Sequence, residues 1–188
     1  MKGSTKAMNV PNALTMARIS MAPLLVLTMQ SGQETTLTLS VLVFAAGMTS
    51  DAIDGYLARS RGLITSFGQL MDPIADKLFV GTAFVCLAAT DRIAVWVVAI
   101  VFARDILVTG VRLIASREGV IIPANQLGKA KTVIQTIVIL VLLAAGPGGV
   151  FVQALVYLMV AITVVSGAVY VLGFLRGRRM PVLRVDPA

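Results

Sequence analysis

Apolar residues gather in six runs, 13–30, 35–58, 73–90, 92–115, 132–146 and 149–174, each parted from the next by a short polar break. About 20 apolar residues carry an α-helix across the hydrocarbon of a bilayer, so the pattern predicts six transmembrane helices. They make an all-α integral membrane bundle, one domain over residues 1–188 with no soluble segment left over. The breaks QSGQET at 30–35 and GPGG at 146–149 read as tight turns between neighbouring helices. Lys2 and Lys6 ahead of the first run resemble the start of a signal peptide, but no small-residue cleavage site follows Met29 and further spans come next. The first run is therefore expected to be a retained helix.

Composition supports the membrane class and narrows the chemistry. The chain is 57% hydrophobic, with a mean hydropathy of +0.91, far outside the range of soluble domains. Its net charge is +7, yet the positive residues sit between hydrophobic segments, which favours anionic lipid and anionic substrates over nucleic acid. The chain has no histidine and a single cysteine, Cys86, inside an apolar run. Histidine catalysis, cysteine zinc sites and a disulfide framework are excluded. The positive-inside bias orients the chain with both termini in the cytosol. Lys2, Lys6, Arg18, Arg59, Arg61, Lys77, Arg104, Arg112, Arg117, Lys129, Lys131, Arg176, Arg178, Arg179 and Arg184 then lie inside, and only Arg92 outside.

Against this background the stretch TSDAIDGYLARSRGLITSFGQLMDPIADK, residues 49–77, holds four of the nine acidic residues. Asp51 and Asp54 are three positions apart and Asp72 and Asp76 four, so each pair shares a helix face. Asp51 lies eight residues before Arg59, roughly 12 Å along a helix. A carboxylate that far below the interface needs a cation. One reading supplies it from Arg59, Arg61 and Lys77, with Asp72 as an N-cap before Pro73. The other is a divalent-metal site, and all-oxygen ligands favour Mg2+, Mn2+ or Ca2+ over zinc. Gly55, Ala58 and Gly68 leave room for a ligand to approach the backbone, although small residues also serve helix packing. Arg59 suits bidentate phosphate binding. Upstream, Asn12, Thr15 and Arg18 share one side of the first helix. They are either an interfacial turn whose base reaches for headgroups, or a polar lip over a cytoplasm-facing cavity.

The spacing Asp51-x2-Asp54-Gly55-x2-Ala58-Arg59-x8-Gly68-x3-Asp72-x3-Asp76 places eight fixed positions in 26 residues and resembles the signature of the CDP-alcohol phosphotransferase family. PNALTMAR near the start, DPIADK at 72–77 and the basic segment from Arg104 to Lys131 look most like the bacterial phosphatidylglycerophosphate synthases of that family. The resemblance implies displacement of CMP from CDP-diacylglycerol by an alcohol, in the cytoplasmic membrane of a bacterium, by a homodimer. It implies two ions, Mg2+ or Mn2+: Asp51, Asp54 and Asp72 hold one, Asp51, Asp72 and Asp76 the second, and Asp76 is the general base. Asn12, Thr15, Gly55, Arg59, Thr65 and Gly68 are then expected at the CDP-lipid.

The acceptor is read from a second set of residues, Arg104, Arg112, Lys129 and Lys131, with Arg117 beside Glu118 the one best explained as flanking charge. Arg104 and Arg112 are eight residues apart, about two turns, and share a face. Arg104-Asp105 lies deeper in an apolar run than anchoring requires. These bases suit a phosphorylated acceptor, and glycerol 3-phosphate is the expected one, giving phosphatidylglycerol phosphate. Inositol phosphate would use a similar pocket. A divalent-cation transporter is the alternative from another class, but transport sites favour the midplane and internal repeats, and no second D-x-x-D pair follows in a repeated half.

Overall fold

A computed structural model describes residues 10–31, 33–60, 66–117, 120–121, 126–175 and 183–184. Its six helices are α1 (Val10–Gln30), α2 (Glu34–Ser60), α3 (Ser66–Ala89), α4 (Val95–Arg117), α5 (Gln126–Ala145) and α6 (Val150–Leu175). Each apolar run in the sequence has become one helix. The breaks at 30–35 and 146–149 are the predicted turns, and in the second of them Gly146 and Gly149 adopt φ of 73° and 92°, a region that costs glycine little. A two-residue antiparallel ladder adds to the predicted all-α pattern, pairing β1 (Val120–Ile121) with β2 (Leu183–Arg184).

Two helix starts differ from the sequence reading. α3 begins at Ser66 rather than at Pro73, so Asp72 stands inside the helix and is not its N-cap. Pro73 is the eighth residue of α3 and stands inside it, where a proline leaves one backbone carbonyl of the preceding turn without its helical N–H partner. α5 begins at Gln126 rather than at 132, which draws Lys129 and Lys131 onto the helix.

α5 and α6 are long and apolar enough to cross a membrane, with only 33% and 22% of their apolar windows buried. Apolar helices left so uncovered by their own chain have the character that a bilayer accommodates. Asp51, Asp54, Asp72, Asp76, Arg104 and Arg112, which interrupt α2, α3 and α4, are candidate site residues.

The chain folds as two compact units, one of residues 1–92 and 139–146, the other of 93–138 and 147–188. In the first, α1 packs along both α2 and α3, which touch each other much less. Phe44 of α2 stacks on Phe79 of α3 with ring centroids 5.5 Å apart, and Gly47 lies against the same Phe79 ring with no room for a methyl group. Ser40 of α2 donates to Thr28 of α1 at 2.9 Å. In the second unit α4 packs on α6, and Trp96 and Tyr157 stack at 6.4 Å.

Candidate functional site

The carboxylate end of the first unit is built on the Phe44–Gly47–Phe79 contact. Asp51 follows Gly47 by four residues and Asp76 precedes Phe79 by three. At about 1.5 Å per residue both lie roughly one turn beyond the contact. α2 and α3 thus carry their acid pairs past one shared packing point. α1 is the third wall: Thr15, fully buried, donates its hydroxyl to Asp72 Oδ1 at 2.6 Å. One oxygen of Asp72 is oriented in this way, and Oδ2 has no partner among the described residues. Asp76, one turn further along α3, is half-buried like Asp72.

Arg18 does not reach for headgroups, as the interfacial reading expected. Its side chain is buried, and Nε donates to the Gly47 carbonyl at 3.2 Å. This contact sets the Arg18 guanidinium at the Gly47 carbonyl, one turn before Asp51 along α2.

The side chains of Asn12, Asp51, Asp54 and Arg59, the surroundings of Gly55 and Gly68, and Thr65 as a whole lie outside the described residues. Among the described residues no three acidic, histidine or cysteine side chains converge as a metal site. Asp72 and Asp76 nevertheless fit a hard cation in donor chemistry: two half-buried carboxylates one turn apart, with an oxygen of Asp72 unpartnered.

The second unit gathers the bases. Lys131 of α5 grips Asp105 of α4 through both carboxylate oxygens, at 2.7 and 2.8 Å. Arg104 Nη1 adds a contact to Asp105 Oδ1 at 3.2 Å, and its Nε donates to Ser166 Oγ at 3.2 Å. Arg112 Nη2 donates to the Tyr170 hydroxyl at 3.0 Å. The guanidinium carbons of Arg104 and Arg112 lie 5.9 and 5.4 Å from the centroid of the Tyr170 ring. The two arginines expected on one face do meet, against this ring. Lys129 is exposed. Tyr170 went unnoticed in the sequence because it stands in the most apolar helix; its one signal is the small pair Ser166-Gly167 a turn before it.

The sequence profile of the CDP-alcohol phosphatidyltransferase family matches residues 8–166. A CDP-diacylglycerol–glycerol-3-phosphate 3-phosphatidyltransferase of Bacillus subtilis is 36% identical over 147 residues, 72% of this chain and 76% of the relative. One from Rickettsia felis is 33% identical over 168 residues, 86% of this chain and 93% of the relative. A probable phosphatidylglycerophosphate synthase of Mycobacterium tuberculosis is 35% identical over 179 residues, 93% of this chain and 85% of the relative. With a match that spans both acid-bearing helices and continues through α5 into α6, this chain belongs to the CDP-alcohol phosphatidyltransferase family.

Proposed function

We propose that the protein transfers a phosphatidyl group from CDP-diacylglycerol to glycerol 3-phosphate, releasing CMP and phosphatidylglycerol phosphate. The observation that carries this reading is the eight-position acid and glycine spacing on α2 and α3, in a chain whose relatives over most of its length bear the name of that activity. Asp51, Asp54, Asp72 and Asp76 are the residues that would hold two divalent ions, Mg2+ or Mn2+. When bound, such ions neutralise the donor diphosphate and the charge on departing CMP.

The chain's own residues do the rest. Thr15 fixes the rotamer of Asp72, so that the unpartnered oxygen has one direction in which to act. Asp76 accepts the proton of the attacking hydroxyl. Asn12, Thr15, Gly55, Arg59, Thr65 and Gly68 line the CDP-lipid, the arginine taking its diphosphate by a bidentate contact. Arg104, Arg112, Lys129 and Lys131 hold the phosphate of the acceptor. Lys131 and Arg104 also neutralise Asp105, so Arg112 carries more of that task. All six helices cross the membrane, the acids and both termini face the cytosol, and two copies form the working dimer.

The test is an assay of purified protein with CDP-diacylglycerol against glycerol 3-phosphate, inositol phosphate, serine and water, read as CMP and lipid product. CMP release with glycerol 3-phosphate alone is the expected result. Release with inositol phosphate instead would move the acceptor, and Mg2+ flux without CMP would move the protein to the transporter class.

A further inference from the structure

We propose that Tyr170 is a positioning residue for the acceptor, holding the guanidinium of Arg112 so that the rest of that group is turned toward an incoming phosphate. The proposal rests on the acceptor reading above for its substrate, but its geometry is independent of it. Tyr170 is fully buried, and a buried phenol needs a polar partner. Arg112 is one such partner: its Nη2 donates to the Tyr170 hydroxyl at 3.0 Å. Arg112 itself is exposed, and its remaining N–H groups have no partner among the described residues. One end of the fork is anchored and the other is left for bidentate contact with an oxyanion.

The same ring organises the second arginine. Arg104 and Arg112 both lie over Tyr170, and the negative face of the ring offsets part of the repulsion between two like charges. α6 is shaped for this arrangement a turn earlier. A methyl group on Gly167 would stand 3.0 Å from Arg104 Cγ, so a larger residue would oblige that side chain to shift by a few tenths of an ångström. Ser166 gives its own proton to the Thr163 carbonyl at 3.1 Å and accepts from Arg104 Nε. Ser166, Gly167 and Tyr170 thus form a cradle for two guanidinium groups. Asp105 draws on Lys131 and one edge of Arg104 and is not among the contacts of Arg112.

Tyr170→Phe keeps the ring and removes only the hydroxyl. The KM for glycerol 3-phosphate should rise about tenfold, the order expected for losing a hydrogen bond to a charged group. kcat and the KM for CDP-diacylglycerol should stay within about twofold, because the tyrosine acts on binding of one substrate. In an Arg112→Ala background the same substitution should add less than about twofold, since a residue that acts through Arg112 has nothing left to position. A tyrosine that merely packs would lower folded yield and cost the same in both backgrounds. A second arm uses inorganic phosphate and the thermal unfolding midpoint of the detergent-purified protein. The phosphate concentration giving half of the stabilisation should rise about tenfold in Tyr170→Phe. An unchanged KM with an unchanged phosphate response overturns the proposal, as does equal loss in both backgrounds. Failure of the wild type to use glycerol 3-phosphate would instead reject the acceptor reading, and the phosphate arm would still decide the role of Tyr170.

Discussion

Thr15 on α1 and Asp72 on α3, 57 positions apart in sequence, are joined by a 2.6 Å hydrogen bond from hydroxyl to carboxylate. This contact makes α1 part of the carboxylate site, because it sets which way an acid on another helix points. Thr15→Val keeps the shape and removes the donor. The Mg2+ concentration for half-maximal CMP release should rise about tenfold, the lower range for losing the hydrogen-bond partner of a metal ligand. Turnover at saturating Mg2+ should recover most of the wild-type value. An unchanged metal titration would show that Thr15 does not act through Asp72.

Asp76→Asn removes a basic oxygen while keeping size and hydrogen-bonding capacity. CMP release should fall by about 10²–10⁴-fold, the usual contribution of a positioned general base, with membrane insertion and helix content unchanged by circular dichroism. Near-normal turnover would reject Asp76 as the base.

Arg112→Ala should raise the KM for glycerol 3-phosphate by about tenfold or more, as expected for a charge-assisted contact to phosphate. The KM for CDP-diacylglycerol should change far less. An equal effect on both substrates, measured by steady-state kinetics with each varied in turn, would count against an acceptor site at Arg112.

Lys131 and Asp105 make a part-buried ion pair, with side chains 9% and 22% exposed. Lys131→Met leaves the carboxylate with Arg104 alone and should destabilise the protein by about 1–3 kcal/mol, less than a fully buried pair would cost. Lys131→Met with Asp105→Asn should recover most of the loss, because no uncompensated charge remains. Thermal unfolding in detergent reads both, and additive losses would mean that the two residues are not coupled.

Gly47→Ala sets a methyl group against the Phe79 ring, which is buried and stacked on Phe44 and has little room to retreat. A loss of about 1–3 kcal/mol is expected for overpacking, seen as a lower unfolding midpoint. Gly47→Ala with Phe79→Leu should relieve part of it. Since Gly47 also offers its carbonyl to Arg18, CMP release should fall in the single variant as well.

Much of this protein is written locally. The six helices follow from six apolar runs, because the requirement to fill a bilayer or a helix interface is met run by run along the chain. The pairing of Asp51 with Asp54 and of Asp72 with Asp76 follows from the helical period alone. The same period brings Arg104 and Arg112 to one face, where both are found on Tyr170. Helix starts were less legible: Pro73 looked like the beginning of α3, yet Ser66 opens it and the proline stands inside the helix, because packing of the apolar face can outweigh the one hydrogen bond that an interior proline removes.

The sequence by itself determined the membrane class, the helix count and the acid spacing, all of which depend on residues within a few turns of one another. Tertiary structure alone decided that Thr15 orients Asp72, that Arg18 turns inward to the Gly47 carbonyl, that Lys131 answers Asp105, and that Tyr170 anchors Arg112. These partners stand 26 to 58 positions apart. Which polar groups meet across such separations is set by how the helices pack, and in an apolar bundle each buried polar group must find its partner there or go unsatisfied.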